Sequence, residues 1–157
     1  MAIRNIRTND DPILLKKSRV VEKFDERLWM LLDDMQDTLK KAEGLGLAAV
    51  QVGILKRIVL VGSEEDEEIL ELVNPEIVET SGEQCVSEGC LSLPKRVGVT
   101  LRPQKVKIKA QDRNGEWHFY EGEELKARCF CHELDHLDGV LFSDRLAPGE
   151  KLGFRED

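Results

Sequence analysis

The chain has 157 residues, 41% hydrophobic and 34% charged, enough apolar side chain to bury a core and too much for intrinsic disorder. No apolar run reaches the roughly 18 residues of a membrane helix, and Asp10 and Asp11 stand where a secretory leader would be apolar, so a cytoplasmic protein with no membrane partner is expected. Lys plus Arg number 23 against 31 Asp plus Glu, and the resulting net charge of −8 excludes phosphate-backbone binding as the main activity; no nucleic-acid partner is expected.

Neither an internal repeat nor a Pro/Ser-rich linker divides the sequence, which predicts one domain over 1–157. The first helix is predicted from about Phe24 to Glu43: Leu28, Leu31, Leu32, Met35, Leu39 and Ala42 recur on one helical face. Asp25 suits the N-cap, Lys40 and Lys41 suit the C-terminal end of the dipole, and Gly44 suits the stop. This is a core-packing helix. Residues 44–53, GLGLAAVQVG, lead into a buried strand at Arg57–Val61, and a second strand runs over Ile69–Val73. The acidic run Glu64-Glu65-Asp66-Glu67-Glu68 between them reads as a solvated hairpin tip. Val97–Leu101 alternates as a strand, and so does Lys105–Ala110, whose three lysines share one face and are read as solvent-facing. Asn114-Gly115 is a two-residue hairpin signal leading into Trp117-His118-Phe119-Tyr120. A last helix begins near Glu123, with Leu125, Cys129, His132 and His136 on one stripe and Gly139 as the residue after its end. The predicted class is α+β: short, mostly antiparallel sheets packed around this C-terminal helix, plus one N-terminal helix.

The last helix carries His132-Glu133-Leu134-Asp135-His136. Four residues turn an α-helix by about 400°, so the two imidazoles project from nearly the same face one turn apart. At that separation both nitrogens reach one ion at about 2.0–2.1 Å. Glu133 lies about 100° around the helix, where a carboxylate can take a proton from water beside such an ion.

The third ligand is open to several candidates. Gly139 fits a metzincin-type extension, but Phe142 stands where the third His would be. Glu150 and Glu156 sit on no predicted helix, and His118 reads as a partly exposed sheet residue. Cys85 reads as a small buried hydrophobe and Cys129 as a buried thiol lining the site, while Cys131 points elsewhere on the helix. Cys90 is the strongest candidate, because Gly89 before it lets the backbone approach closely. One Cys plus two His leaves a coordination position open, the mark of a catalytic site, and such a donor set is acceptable to Zn.

Gly44-Leu45-Gly46-Leu47-Ala48-Ala49-Val50-Gln51, Glu88-Gly89-Cys90-Leu91-Ser92 and His132-Glu133-Leu134-Asp135-His136 resemble the three signature motifs of the peptide deformylases, in order and at matching spacing. Asp11-Pro12-Ile13-Leu14 and Leu141-Phe142-Ser143-Asp144-Arg145 also resemble that family, so the likeness covers nearly the whole chain. The resemblance implies a hydrolase that removes the formyl group from the N-terminal formylmethionine of nascent polypeptides and releases formate. It implies Cys90, His132 and His136 as ligands of one divalent ion, Fe(II) as the family's usual metal, with Zn, Ni or Co as substitutes. Glu133 would be the general base and acid, with the Gln51 amide and the Leu91 N–H as oxyanion donors. Leu45, Gly46 and Gly89 would pair with the backbone of the formylmethionyl peptide.

From their positions, Leu125, Cys129 and Val86 are expected to wall the methionine pocket, with the stem of Arg128 beside them. Two departures from the family stand out. Cys131 replaces a common Gln, and the chain ends too soon after His136 for the long C-terminal helix linked to ribosome docking, so at most a transient ribosome contact is expected. The expected form is a monomer. The competing readings are another metal-dependent amidohydrolase or peptidase acting on a different N-acyl peptide, and a Cys/His module that only binds metal or a peptide.

Overall fold

The computed structural model describes residues 2–63 and 68–155; of the acidic run, Glu64 to Glu67 lie outside the described residues, and Glu68 is exposed. After a short 3-10 turn at Pro12–Leu15 come helix α1 (Glu26–Ala42), β1 (Gly46–Ala48), a 3-10 turn at Ala49–Val52, β2 (Ile58–Val61) and β3 (Leu70–Ser81). They are followed by β4 (Gln84–Cys90), β5 (Leu93–Arg102), β6 (Lys105–Gln111), β7 (Trp117–Glu123) and α2 (Leu125–Leu137). A 3-10 turn at Phe142–Arg145 and β8 (Gly153–Phe154) follow α2. The strands form one sheet in the order β1-β2-β3-β6-β7 and a second in the order β4-β5-β8. Every pairing within them is antiparallel, as the α+β reading expects.

The two helices take opposite faces of the five-stranded sheet, and β2 shows why its sequence is apolar throughout. Ile58 and Leu60 pack with Leu28, Leu32 and Met35 of α1, whereas Val59 and Val61 pack with Ala127, Phe130 and Leu134 of α2. A strand covered on both faces needs no polar alternation. The α1 stripe is buried as its spacing predicts, and Asp25 accepts the Leu28 N–H at 3.3 Å as N-cap. The stop differs from the expectation. Glu43, not Gly44, takes the left-handed conformation, with φ 55°, while Gly44 packs closely under the end of Leu91, whose Cδ1 would lie 2.8 Å from a Cβ there.

Strand β3 runs well past the predicted Val73. Asn74-Pro75 forms a bulge in the β3–β6 pairing, beyond which the strand continues. Asn74 adopts φ 51°, and its side chain accepts the Val21 N–H while donating to the Val21 carbonyl and Gln111 Oε1. The β6–β7 connection is a hairpin as expected, but with a three-residue loop in place of a two-residue one. Gly115 N–H donates to the Asp112 carbonyl, Asp112 N–H to the Glu116 carbonyl, and Gly115 takes φ 86°, a type I turn closed by a left-handed residue. Lys105, Lys107 and Lys109 do face solvent, with Lys107 over the Phe119 ring and Lys109 over Trp117. Cys85, expected to be buried, is exposed on β4, because the two-stranded stretch of β4 and β5 carries no layer over that face.

Beyond α2, Gly139 has φ 74° and donates to the His136 carbonyl, ending the helix as predicted. A Cβ on it would collide with the Leu15 carbonyl oxygen. Gly139→Ala is therefore expected to destabilise the fold by about 2–4 kcal/mol, combining left-handed strain with the clash, as measured by urea unfolding.

Candidate metal centre and substrate cleft

Helix α2 is two-faced. Ala127, Phe130, Cys131, Leu134 and Leu137 pack into the sheet, and burial pushes the Cys131 thiol up to about 11, so it remains an uncharged core group. The other stripe turns His132 and His136 toward the end of β4. Cys90, the last residue of that strand, meets them there: its Sγ lies 3.3 Å from His136 Nε2, and one donor atom from each of the three residues lies within 4.8 Å of the others.

Does this trio fit an ion? With bonds of about 2.1 Å to nitrogen and 2.3 Å to sulfur, a tetrahedral N···S edge is about 3.6 Å, and the observed 3.3 Å comes near it. His132 Nδ1 is bonded to Glu88 Oε1 at 2.6 Å, which turns its Nε2 inward. Burial holds His136 well below the ordinary histidine range, so its imidazole is neutral and has a lone pair to give. The donor set fits a divalent ion.

Behind the trio stands a charged network that the sequence did not assign. Arg102, 4% exposed, donates to Glu88 Oε1 at 2.7 Å and to Asp135 Oδ2 at 2.6 Å, while Arg145 grips Asp135 from outside at 3.1 Å. Thr100 Oγ1 also donates to Glu88. Burial opposes ionisation of Glu88, but the hydrogen bonds from His132 and Arg102 outweigh it and bring its carboxyl down to about 2. Glu88, Asp135 and Arg145 stand inside the quoted motifs and stretches but carried no assigned role there, and Arg102 is an ordinary surface residue type until the fold buries it.

Glu133 sits beside the ligands, 5% exposed, and its Oε1 has no hydrogen-bond partner among the described residues. Burial raises its carboxyl to about 7. Its other oxygen lies against Gly46, where a Cβ would be 2.5 Å away, so Gly46 is required for the carboxylate to lie flat on β1. Gln51, in the 3-10 turn after β1, is oriented at both ends. Its Oε1 accepts the Ala48 N–H at 2.9 Å, so its Nε2 points to Ser92 Oγ at 3.0 Å and Cys90 Sγ at 3.7 Å. The amide polarity that a donor role needs is thus set by the backbone.

A cavity of about 510 Å³ opens over this centre, within the usual range for a ligand pocket. Of the residues expected from sequence, Leu45, Gly46, Gln51, Gly89, Cys90, Leu91, Leu125, Cys129, His132 and Glu133 line it, with Arg128 on the same wall; His136 lies beneath, 1% exposed. Arg128 donates to Gln84 Oε1 at 2.9 Å, which ties its head down. Val86 does not reach the cavity. It shares the Glu88 face of β4, as period two requires, but lies farther along the strand opposite Thr100 and stays 38% exposed. His118 is remote as well, on β7 against Asp112 at 2.8 Å, part of an exposed Asp112, Glu116 and His118 cluster that the hairpin's own hydrogen bonds explain.

A family model described as "Polypeptide deformylase" matches residues 3–152. The chain is 53% identical over 146 residues to a peptide deformylase of Alkaliphilus metalliredigens, covering 93% of this chain and 98% of the relative. It is 57% identical over 146 residues to one of Caldicellulosiruptor bescii, covering 93% and 87%. Its fold superimposes on the crystal structure of a peptide deformylase from Legionella pneumophila with a TM-score of 0.90 at 44% identity, covering 94% of this chain and 88% of that one. With motifs, site and fold agreeing over nearly its whole length, the chain belongs to the polypeptide deformylase family.

Proposed function

We propose a specific division of labour for the reaction that family membership gives this chain, removal of the N-formyl group from nascent polypeptides. Cys90, His132 and His136 hold one divalent ion, Fe(II) in the native enzyme with Zn, Ni or Co as replacements. Once bound, the ion supplies Lewis acidity, lowering the pKa of water and polarising the formyl oxygen. Glu133 takes the proton from the attacking water and later hands it to the departing amine. Gln51 Nε2 and the Leu91 N–H donate to the formyl oxygen as negative charge develops on it. The peptide lies extended between Leu45–Gly46 and Gly89, adding a strand to the open edge of β1, with methionine against Leu125 and Cys129. The observation that carries this reading is the buried Glu133 oxygen, without a hydrogen-bond partner among the described residues, beside three convergent donor atoms.

Residues 1–157 act as one catalytic domain, a monomer in the cytoplasm that meets the ribosome only transiently and takes the formylmethionyl peptide as its partner. No described helix is long and apolar enough to cross a membrane. Formate release from formyl-Met-Ala-Ser, compared with acetate release from the matched acetyl peptide, tests the assignment. Formate alone is expected; equal release of both would transfer the chain to a broader amidohydrolase activity. Gln51→Met is expected to lower kcat by about 10²–10³ with little change in KM, because its amide acts on charge that appears only in the transition state.

A further inference from the structure

We infer that Ser92 is a positioning residue for the transition state: its buried hydroxyl holds the Gln51 amide in the orientation that aims a donor at the formyl oxygen. The inference rests on the deformylase reading and deepens it. Cys90 pairs with Leu93 across the β4–β5 hairpin, so Leu91 and Ser92 form its two-residue loop. Proposed ligand, backbone donor and hydroxyl thus follow one another in the chain. A serine in such a turn ordinarily bonds its own backbone nearby. Ser92 instead accepts Gln51 Nε2 at 3.0 Å, from a side chain 41 residues away, and both residues are buried.

The amide needs both of its anchors. Gln51 Oε1 accepts the Ala48 N–H at 2.9 Å, which forbids the flipped amide, because Nε2 in that place would set donor against donor. That bond alone leaves the amide plane free to twist about its last torsion, which is soft. The Ser92 oxygen removes this freedom by taking one of the two Nε2 hydrogens. The other then lies in the same plane on the side of Cys90 Sγ, which is 3.7 Å from Nε2. A donor fixed before the oxyanion forms costs no reorganisation when it does. The exposed N-terminal arm braces the same pair. The Arg7 N–H donates to the Gln51 carbonyl at 2.6 Å and the Asn9 N–H to the Ser92 carbonyl at 2.7 Å, stitching the turn after β1 to the β4–β5 loop. The arm is itself tied to α1, where the Ala2 N–H and the Arg4 guanidinium reach Asp34.

Ser92→Ala is expected to lower kcat for formyl-Met-Ala-Ser by about ten-fold, with KM within about two-fold and metal content unchanged, because a loosened amide fails charge that exists only in the transition state. The decisive comparison is the same substitution in a Gln51→Met background. Two residues acting through one donor are not additive, so there it should cost less than about two-fold. A serine that only packs the hairpin would cost the same factor in both backgrounds. That result, or an unchanged kcat in the single variant, overturns the inference. Side-chain amide NMR signals of isotope-labelled, zinc-loaded protein read the anchor without turnover. The Gln51 pair, assigned by its loss in Gln51→Met, should shift and exchange with solvent about ten-fold faster in Ser92→Ala. Unchanged signals with unchanged formate release would sink the positioning role and leave the deformylase reading standing. A shifted pair with no formate from the unaltered enzyme would do the reverse.

Discussion

Glu133→Ala is expected to reduce kcat/KM for a formyl-methionyl peptide by about 10³–10⁴-fold while the protein keeps its full complement of metal. The loss follows from the proposed role of the carboxylate: Glu88 beside the trio is engaged by Arg102 and His132, whereas Glu133 keeps an oxygen that no described residue bonds. General acid–base catalysis is typically worth about 10²–10⁴, with the higher end expected because one residue is proposed for both proton transfers. Metal retention follows because the proposed ligand atoms belong to Cys90, His132 and His136, and His132 remains oriented by Glu88. The same substitution should leave the fold as stable as before or up to about 1 kcal/mol more stable. A buried carboxylate with an oxygen that no described residue bonds costs free energy that the proposed reaction, not the fold, requires. Steady-state kinetics, elemental analysis and urea unfolding on one preparation check all three. Turnover within ten-fold of the unaltered enzyme would remove Glu133 from the mechanism.

Cys90→Ala is the second large effect. Removal of the sulfur takes away one of three ligands, so metal affinity should fall by more than the about 10–100-fold that loss of a ligand's supporting residue produces, and formate release should drop to background. Far-UV circular dichroism should barely change, because Cys90 ends a strand and contributes little to either apolar cluster. Cys85→Ala provides the matched control: that thiol is exposed on β4, and its loss should alter neither metal content nor rate. Full metal stoichiometry in Cys90→Ala would place the third donor elsewhere.

The features legible in the sequence are those governed by local spacing. The α1 stripe, the His132 and His136 pair and the Gly139 helix stop depend on residues within a turn or two of one another, and each stands where its period puts it. Misreadings arose where distant chain segments decide. The strand predicted to end at Val73 runs on, because Asn74, bonded to Val21 and Gln111, is held as a bulge inside a twelve-residue strand. Cys85 has a buried residue type on an uncovered ribbon, and Val86 has the right parity but lies too far along the strand. The same limit hid Arg102 and the role of Asp135. A charge becomes a buried support only after β5 and α2 meet, and no periodicity in either segment announces that meeting.

The three proposed ligand atoms also belong to different layers: the sulfur comes from the β4-β5-β8 sheet and both imidazoles from the helix laid on the other sheet. An ion held among them would therefore act as a clasp across that seam, and its binding free energy would be added to the stability of the folded state. Cells starved of the ion would then lose more than activity. The undone chain would open first along this join, become prey to proteases, and decline in abundance, so supply of the cation would regulate how much enzyme persists as well as how fast it works.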